Sequence, residues 1–201
     1  MRNTLIGLAV LAGAGPAAAG EIASAYTDLD FGRDCATVAM AGPDDGDWQD
    51  FVCSGWRGYP VLLSIADLRA SAFYGFPPAG DRPFETFAAF NAVGPRIEWR
   101  IENEGDRSTP FATIHRWTVE GAEGQRTEVL VVSRVAQLAD RQGCVVGLVT
   151  ASGHPEANEA ARRLADERAR SFACGTDAPV EVGRPPGFGS PRTSGSRAAP
   201  R

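Results

Sequence analysis

The chain contains no lysine; all twenty of its basic residues are arginine. That absence, with the wrong glycine spacing, removes the phosphate-loop reading of Gly55, Gly58 and Gly75, which read as tight turns. Only two histidines occur, His115 and His154, and they share no ligand spacing, so a metal site is not expected. No CxxC pair exists, which argues against a thioredoxin-like centre and a zinc ribbon. Neither Ser54, in Cys-Ser-Gly, nor Ser152, in Ala-Ser-Gly-His, matches the GxSxG nucleophile elbow. Beyond residue 19 no stretch is apolar enough to span a bilayer. Basic charge is also scarce: residues 20–182 hold 15 arginines against 25 acids, a net of −10. An acidic body is a poor nucleic-acid binder, because phosphate contacts need basic surface. No cofactor, metal or nucleic-acid partner is therefore expected, and no catalytic residue is assigned.

What is present begins with an export signal. Arg2 precedes an apolar run over residues 5–14, Pro16 breaks it, and Ala17, Ala18 and Ala19 supply the small residues of a cleavage site. Cleavage is expected after Ala19, giving a periplasmic or secreted protein without a transmembrane segment. No cysteine follows the run, so no lipid anchor is expected. The four cysteines, Cys35, Cys53, Cys144 and Cys174, all follow the signal, and an even count in an exported chain favours disulfides. Three pairings are open. Cys35–Cys53 with Cys144–Cys174 is favoured, because each closes a short loop between neighbouring elements.

Four segments follow: a signal peptide over 1–19, a weakly patterned lead-in over 20–34, a single domain over 35–182, and an Arg/Gly/Pro/Ser tail over 183–201. The tail has four arginines, no acid and almost no apolar residue, so disorder is expected. The domain is organised around residues 48–76 (WQDFVCSGWRGYPVLLSIADLRASAFYGF), a strand, a glycine turn and a longer apolar run. Strands are expected over 35–41, 51–54, 59–65 and 71–76. Phe84, Phe87 and Phe90 recur every three residues behind Pro83, which predicts a short helix or 3₁₀ turn burying an aromatic face, ended by Gly94-Pro95.

Residues 96–102 (RIEWRIE) alternate, with Ile97, Trp99 and Ile101 on one face and Arg96, Glu98, Arg100 and Glu102 on the other. This is the pattern of a strand with one wet face. After a hairpin loop over 103–110 come strands over 111–119, 127–135 and 144–150. The second of these is almost continuous Val and Leu and should lie centrally. Residues 155–172 form the clearest helix, with Pro155 at its first position. Its stripe is Ala157, Ala161, Leu164, Ala165 and Phe172, and Glu159–Arg163 and Asp166–Arg170 are i,i+4 pairs. Consecutive antiparallel strands followed by one helix predict an α+β fold, a meander with the C-terminal helix on one face.

The candidate site residues are few. Asp67 and Arg69 interrupt an apolar run, which marks a turn, a bulge or charges beside a groove. Trp56 follows Gly55 within the organising stretch and, like Trp48, Trp99 and Trp117, either packs or lines a cleft. Trp56, Asp67 and Arg69 are the binding candidates. His115, with Glu98 or Glu128 as acid, is the best available catalytic pair for a hydrolase whose residues meet only in three dimensions. His154 is expected to cap the helix.

The runs GYPVLLSIADLRASAFYGF, FAAFNAVGPRIEWRI, PFATIHRW and TEVLVVSRV resemble a family of exported alphaproteobacterial proteins over roughly residues 35–174. No activity is assigned to that family, so the resemblance implies export and disulfides and carries no catalytic residue. The order of elements is also similar to the Mog1/PsbP-like fold. FVCSG faintly resembles small β-barrel lysozyme inhibitors. The reading that follows is an exported, non-enzymatic binding or envelope-associated module with an unidentified protein or small-molecule partner and an open oligomeric state. A hydrolase and a lysozyme inhibitor are the alternatives.

Overall fold

The computed structural model describes residues 20–189. In chain order the elements are β1 (Glu21–Asp28), α1 (Phe31–Asp34), β2 (Cys35–Met40), β3 (Trp48–Cys53), β4 (Val61–Ala66), β5 (Arg69–Tyr74) and β6 (Thr86–Phe87). They continue with β7 (Asn91–Glu104), β8 (Arg107–Glu120), β9 (Arg126–Arg134), β10 (Cys144–Thr150), α2 (Ala157–Arg168), β11 (Val180–Val182) and β12 (Phe188–Gly189). A six-stranded sheet has the order β1-β7-β8-β9-β10-β11, and a four-stranded sheet has the order β2-β3-β4-β5. All their pairings are antiparallel except β10 with β11. The α+β class and the meander with α2 on one face match the sequence expectation.

The period-2 alternation of β7 and β8 builds two cores. Ile97, Trp99 and Ile101 of β7 pack against Phe51, Cys53, Val61, Leu63 and Tyr74 of the smaller sheet. On the opposite face, Ala112 and Ile114 of β8 join Leu130, Val132, Val146 and Val149 beneath the stripe of α2. Ala157, Ala161, Ala165 and Ala169 let α2 approach closely. Gly147 of β10 is needed for the same reason, because a Cβ there would meet Leu164 Cδ2 at 2.5 Å. As expected, β9 is central, with buried residues on both faces.

Both favoured disulfides form. Cys35–Cys53 joins directly opposed residues of β2 and β3, and Cys144–Cys174 ties the start of β10 to the chain after α2. Each closes a loop of a size expected to add about 3 kcal/mol.

Several expectations are corrected. The lead-in over 20–34 carries β1, which pairs with β7 from Glu21↔Asn103 to Asp28↔Arg96. The aromatic segment 84–90 is not a helix. Its centre is β6, because Thr86 donates its hydroxyl to Ala70 O and Phe87 is wholly buried against Trp117, whereas Phe90 is exposed. Gly94-Pro95 lies inside β7 at a register shift, where proline's missing N–H costs no ladder bond. The hairpin loop expected over 103–110 shrinks to Gly105 and Asp106, since β7 and β8 pair out to Glu104↔Arg107.

Helix α2 starts at Ala157, two residues after Pro155. His154 contributes only its carbonyl, which accepts from Ala157 N at 3.1 Å. Of the tail expected over 183–201, residues 183–189 are ordered. Phe188 and Gly189 pair with β6, and the Phe188 and Phe87 rings lie 4.9 Å apart. The signal peptide over 1–19 and tail residues 190–201 lie outside the described residues. Among the described residues no helix is long and apolar enough to cross a membrane.

Candidate functional site

His115 of β8 points between the two sheets and has no exposed surface. Its Nε2 lies 2.7 Å from Gly94 O and its Nδ1 2.7 Å from the Tyr74 hydroxyl. A carbonyl only accepts, so Nε2 carries the proton and Nδ1 accepts from Tyr74. Burial lowers the imidazole pKa to about 4 and pushes the Tyr74 hydroxyl up. Glu98 is on the opposite face of the sheet and Glu128 is paired to Arg116, so neither acid meets His115. Thr113 and Ser133 lie in the same layer and are likewise sealed.

The middle of the β7 face read as wet, at Glu98 and Arg100, is covered by α2, whereas Arg96 at its edge stays exposed. The Glu98 and Arg100 side chains are each 10 % exposed. Arg162 of α2 donates through Nε and Nη2 to the two oxygens of Glu98, at 2.7 and 3.1 Å. Arg100 donates through Nε and Nη2 to Asp166 of α2, at 2.8 and 2.7 Å. The Ser24 hydroxyl of β1 donates to Glu98 at 2.6 Å and accepts from Arg100. Glu98 holds the Arg162 guanidinium well above its ordinary range. Two expected i,i+4 pairs give way to this arrangement, with Asp166 turned to Arg100 and Glu159 bound to Arg162 at 2.5 Å. Each guanidinium nitrogen of Arg100 and Arg162 has an acceptor, so the group is a structural clamp between sheet and helix.

Asp67 is the first residue of the tight turn joining β4 to β5, and Arg69 is the first residue after it. Asp67 and Leu68 both have positive φ, 50° and 57°, the conformation a two-residue hairpin requires. Arg69 is paired with Asp67. It also forms one wall of an open surface groove of about 620 Å³, lined further by Phe90, Val119, Gly121 and Pro186. Trp56 is not there. It precedes β4 whereas Asp67 follows it, so the six residues of the strand, about 20 Å, separate them. The structure therefore does not bring the three binding candidates together.

At the Trp56 end a different group assembles. Gly55 has to be glycine, because a Cβ there would lie 2.1 Å from Tyr59 O and 2.9 Å from Trp99. This tight packing folds residues 55–59 into a compact turn with Arg57 at φ 45°. The rings of Trp56 and Tyr59 lie 6.4 Å apart, and those of Tyr59 and Phe76 lie 5.2 Å apart. All three residues are half-buried. The Tyr59 hydroxyl donates to Gln137 Oε1 at 2.9 Å, and Phe76 N donates to Ala136 O at 3.1 Å, which fixes the row on β5 and the chain after β9.

Three arginines flank this row. The Arg57 guanidinium sits 4.8 Å from the centre of the Trp56 ring. Arg107 opens β8 three residues before Pro110, whose carbonyl accepts from the same Gln137 amide that the Tyr59 hydroxyl meets. Arg141 donates to the carbonyl of Pro77, next to Phe76, at 3.0 Å. Six arginines among the described residues have no carboxylate within ion-pair distance, and Arg57, Arg107 and Arg141 are three of them. Of this group only Trp56 is a candidate from sequence; Tyr59 reads there as the first residue of a strand and Arg57 as part of the glycine turn. Arg107 and Arg141 arrive from distant segments and carry no sequence signal.

No group of His, Cys, Asp and Glu able to hold a metal ion occurs among the described residues. Comparison with protein-family models, with curated proteins and with solved structures finds no match.

Proposed function

We propose that the protein is an exported binding module of the cell envelope, and that it binds through the Trp56–Tyr59–Phe76 row. Two disulfides are the bonding pattern of an oxidising compartment, which supports export. The observation that carries the binding role is the coincidence of partly exposed rings with arginines that have no carboxylate partner among the described residues. In a chain whose body has a net charge of −10, most arginines on the sheets and α2 are paired with acids. Guanidiniums left beside aromatic faces are the groups that recognition sites enrich. The hydrolase alternative would have to be built without His115, which is committed to Tyr74 and Gly94.

The test is co-sedimentation with a washed cell-envelope fraction. The chain should pellet with the envelope, and a Trp56→Ala, Tyr59→Ala double variant with an intact melting transition should stay in the supernatant. Equal recovery of both proteins in the pellet would remove the binding role from this surface.

A further inference from the structure

The same surface has features that narrow its ligand, an argument that rests on the binding role above. The three rings form a short row with centroids 6.4 and 5.2 Å apart, and the cations are distributed along it. Arg57 stands at the Trp56 end, Arg107 opens β8 on the side where the Tyr59 hydroxyl meets Gln137 and Gln137 meets Pro110, and Arg141 lies beyond Phe76 through Pro77. Successive rings tilt by 39° and 54°, so they present a stepped apolar surface edged by guanidiniums, which is complementary to a twisted chain of flat rings bearing a negative charge at intervals. We infer that this surface takes an acidic polysaccharide, with the C–H faces of its sugar rings on Trp56 and Tyr59 and its carboxylates paired by Arg57, Arg107 and Arg141.

Two competing occupants fit less well. Single-stranded nucleic acid also stacks on aromatic rings, but its dense phosphates would face a body of net charge −10. An acidic peptide satisfies the guanidiniums but has no ring face in its backbone, so the aromatic row would go unused. A polysaccharide with one carboxylate per ring uses both sets of groups. Its charge density is low enough for three local cations to outweigh the acidic body at close range, where screening still permits the attraction.

The experiment is calorimetric titration of the full chain with a hexamer of galacturonic acid, a neutral hexamer of glucose and a hexamer of glutamate. The uronic acid hexamer should bind at least tenfold more tightly than either of the others, and its affinity should fall as salt is raised. Combining Arg57→Gln with Arg107→Gln should weaken it at least tenfold. Arg107→Gln alone, which leaves the turn at Arg57 untouched, should weaken it by a smaller factor. Equal affinity for the glucose hexamer would overturn the role of the cations, and equal affinity for hexaglutamate would overturn the role of the sugar rings. If no hexamer binds while Trp56-dependent sedimentation with the envelope persists, the polysaccharide assignment fails and the binding surface stands. If both are lost, the surface itself is wrong.

Discussion

Buried His115 and half-buried Glu85 are shifted in opposite directions by loss of water, and their signs can be separated. His115 has its folded pKa lowered to about 4 by burial, below the ordinary value of 6.5. The unfolded chain therefore binds more protons between those limits. The stability His115 contributes is present above pH 6.5 and is lost as pH falls toward 4. Glu85 behaves in the opposite way. Burial raises its carboxyl to about 7, although it accepts from Val145 N at 2.9 Å. Its contribution is present below its ordinary value of 4.5 and is lost as pH rises through 7. Urea unfolding from pH 4 to 8 should show both effects. Relative to His115→Gln, the native chain should lose about 3 kcal/mol between pH 6.5 and 4. Relative to Glu85→Gln, it should lose on the order of 2 kcal/mol between pH 5 and 8. Parallel stability curves for the native chain and either variant would show that the group stays accessible to water.

Helix α2 and β7 show what an element's own pattern can reveal. The alanine stripe of α2 was legible because burial on a helix follows its 3.6-residue period, and Ala157, Ala161, Leu164 and Ala165 are all buried. The alternation of β7 was also legible, but its polar side was read as solvated. Its partners lie at a sequence separation of 64 for Glu98 and Arg162 and 66 for Arg100 and Asp166, beyond any local pattern. The same limit applies to Phe84, Phe87 and Phe90, whose spacing suggests a helix. The packing of Phe87 on Trp117 and Phe188 instead selects a short strand. It applies to the ring row too, since Trp56 alone stands out in the sequence, whereas Phe76, Arg107 and Arg141 are brought to it by the fold. The clamp gives a direct measure of this difference. Glu98→Gln leaves the buried Arg100 and the half-buried Arg162 short of negative charge and should cost about 2 kcal/mol. Glu159→Gln, at a carboxylate 62 % exposed, should change stability by less than about 0.5 kcal/mol. Similar small losses in both variants would mean that this face of β7 is wet after all.

At the scale of the whole molecule, the two sheets have to be held together at the side away from the disulfides. Cys35–Cys53 staples the smaller sheet to itself, and Cys144–Cys174 ties β10 to the end of α2, so neither bond crosses between the sheets. The C-terminal segment does cross. β11 extends the larger sheet beside β10, Pro186 lines the groove at Arg69, and β12 pairs with β6, which packs beside β5 of the smaller sheet. Phe188 lies on Phe87 along this strap and shields a core that includes Trp117, Val129 and Leu148. Removing residues 190–201, which contain no large apolar side chain, should leave the melting temperature unchanged within about 1 °C, as surface changes usually do. Removing residues 183–201 also strips Phe188 and the β12 pairing. Losing one partly buried aromatic should cost about 2 kcal/mol, or roughly 6 °C for a domain of this size. Replacing Phe188 with Ala in the full chain should reproduce most of that loss. If both truncations melt alike, the strap adds nothing and the sheets are joined by their facing side chains alone.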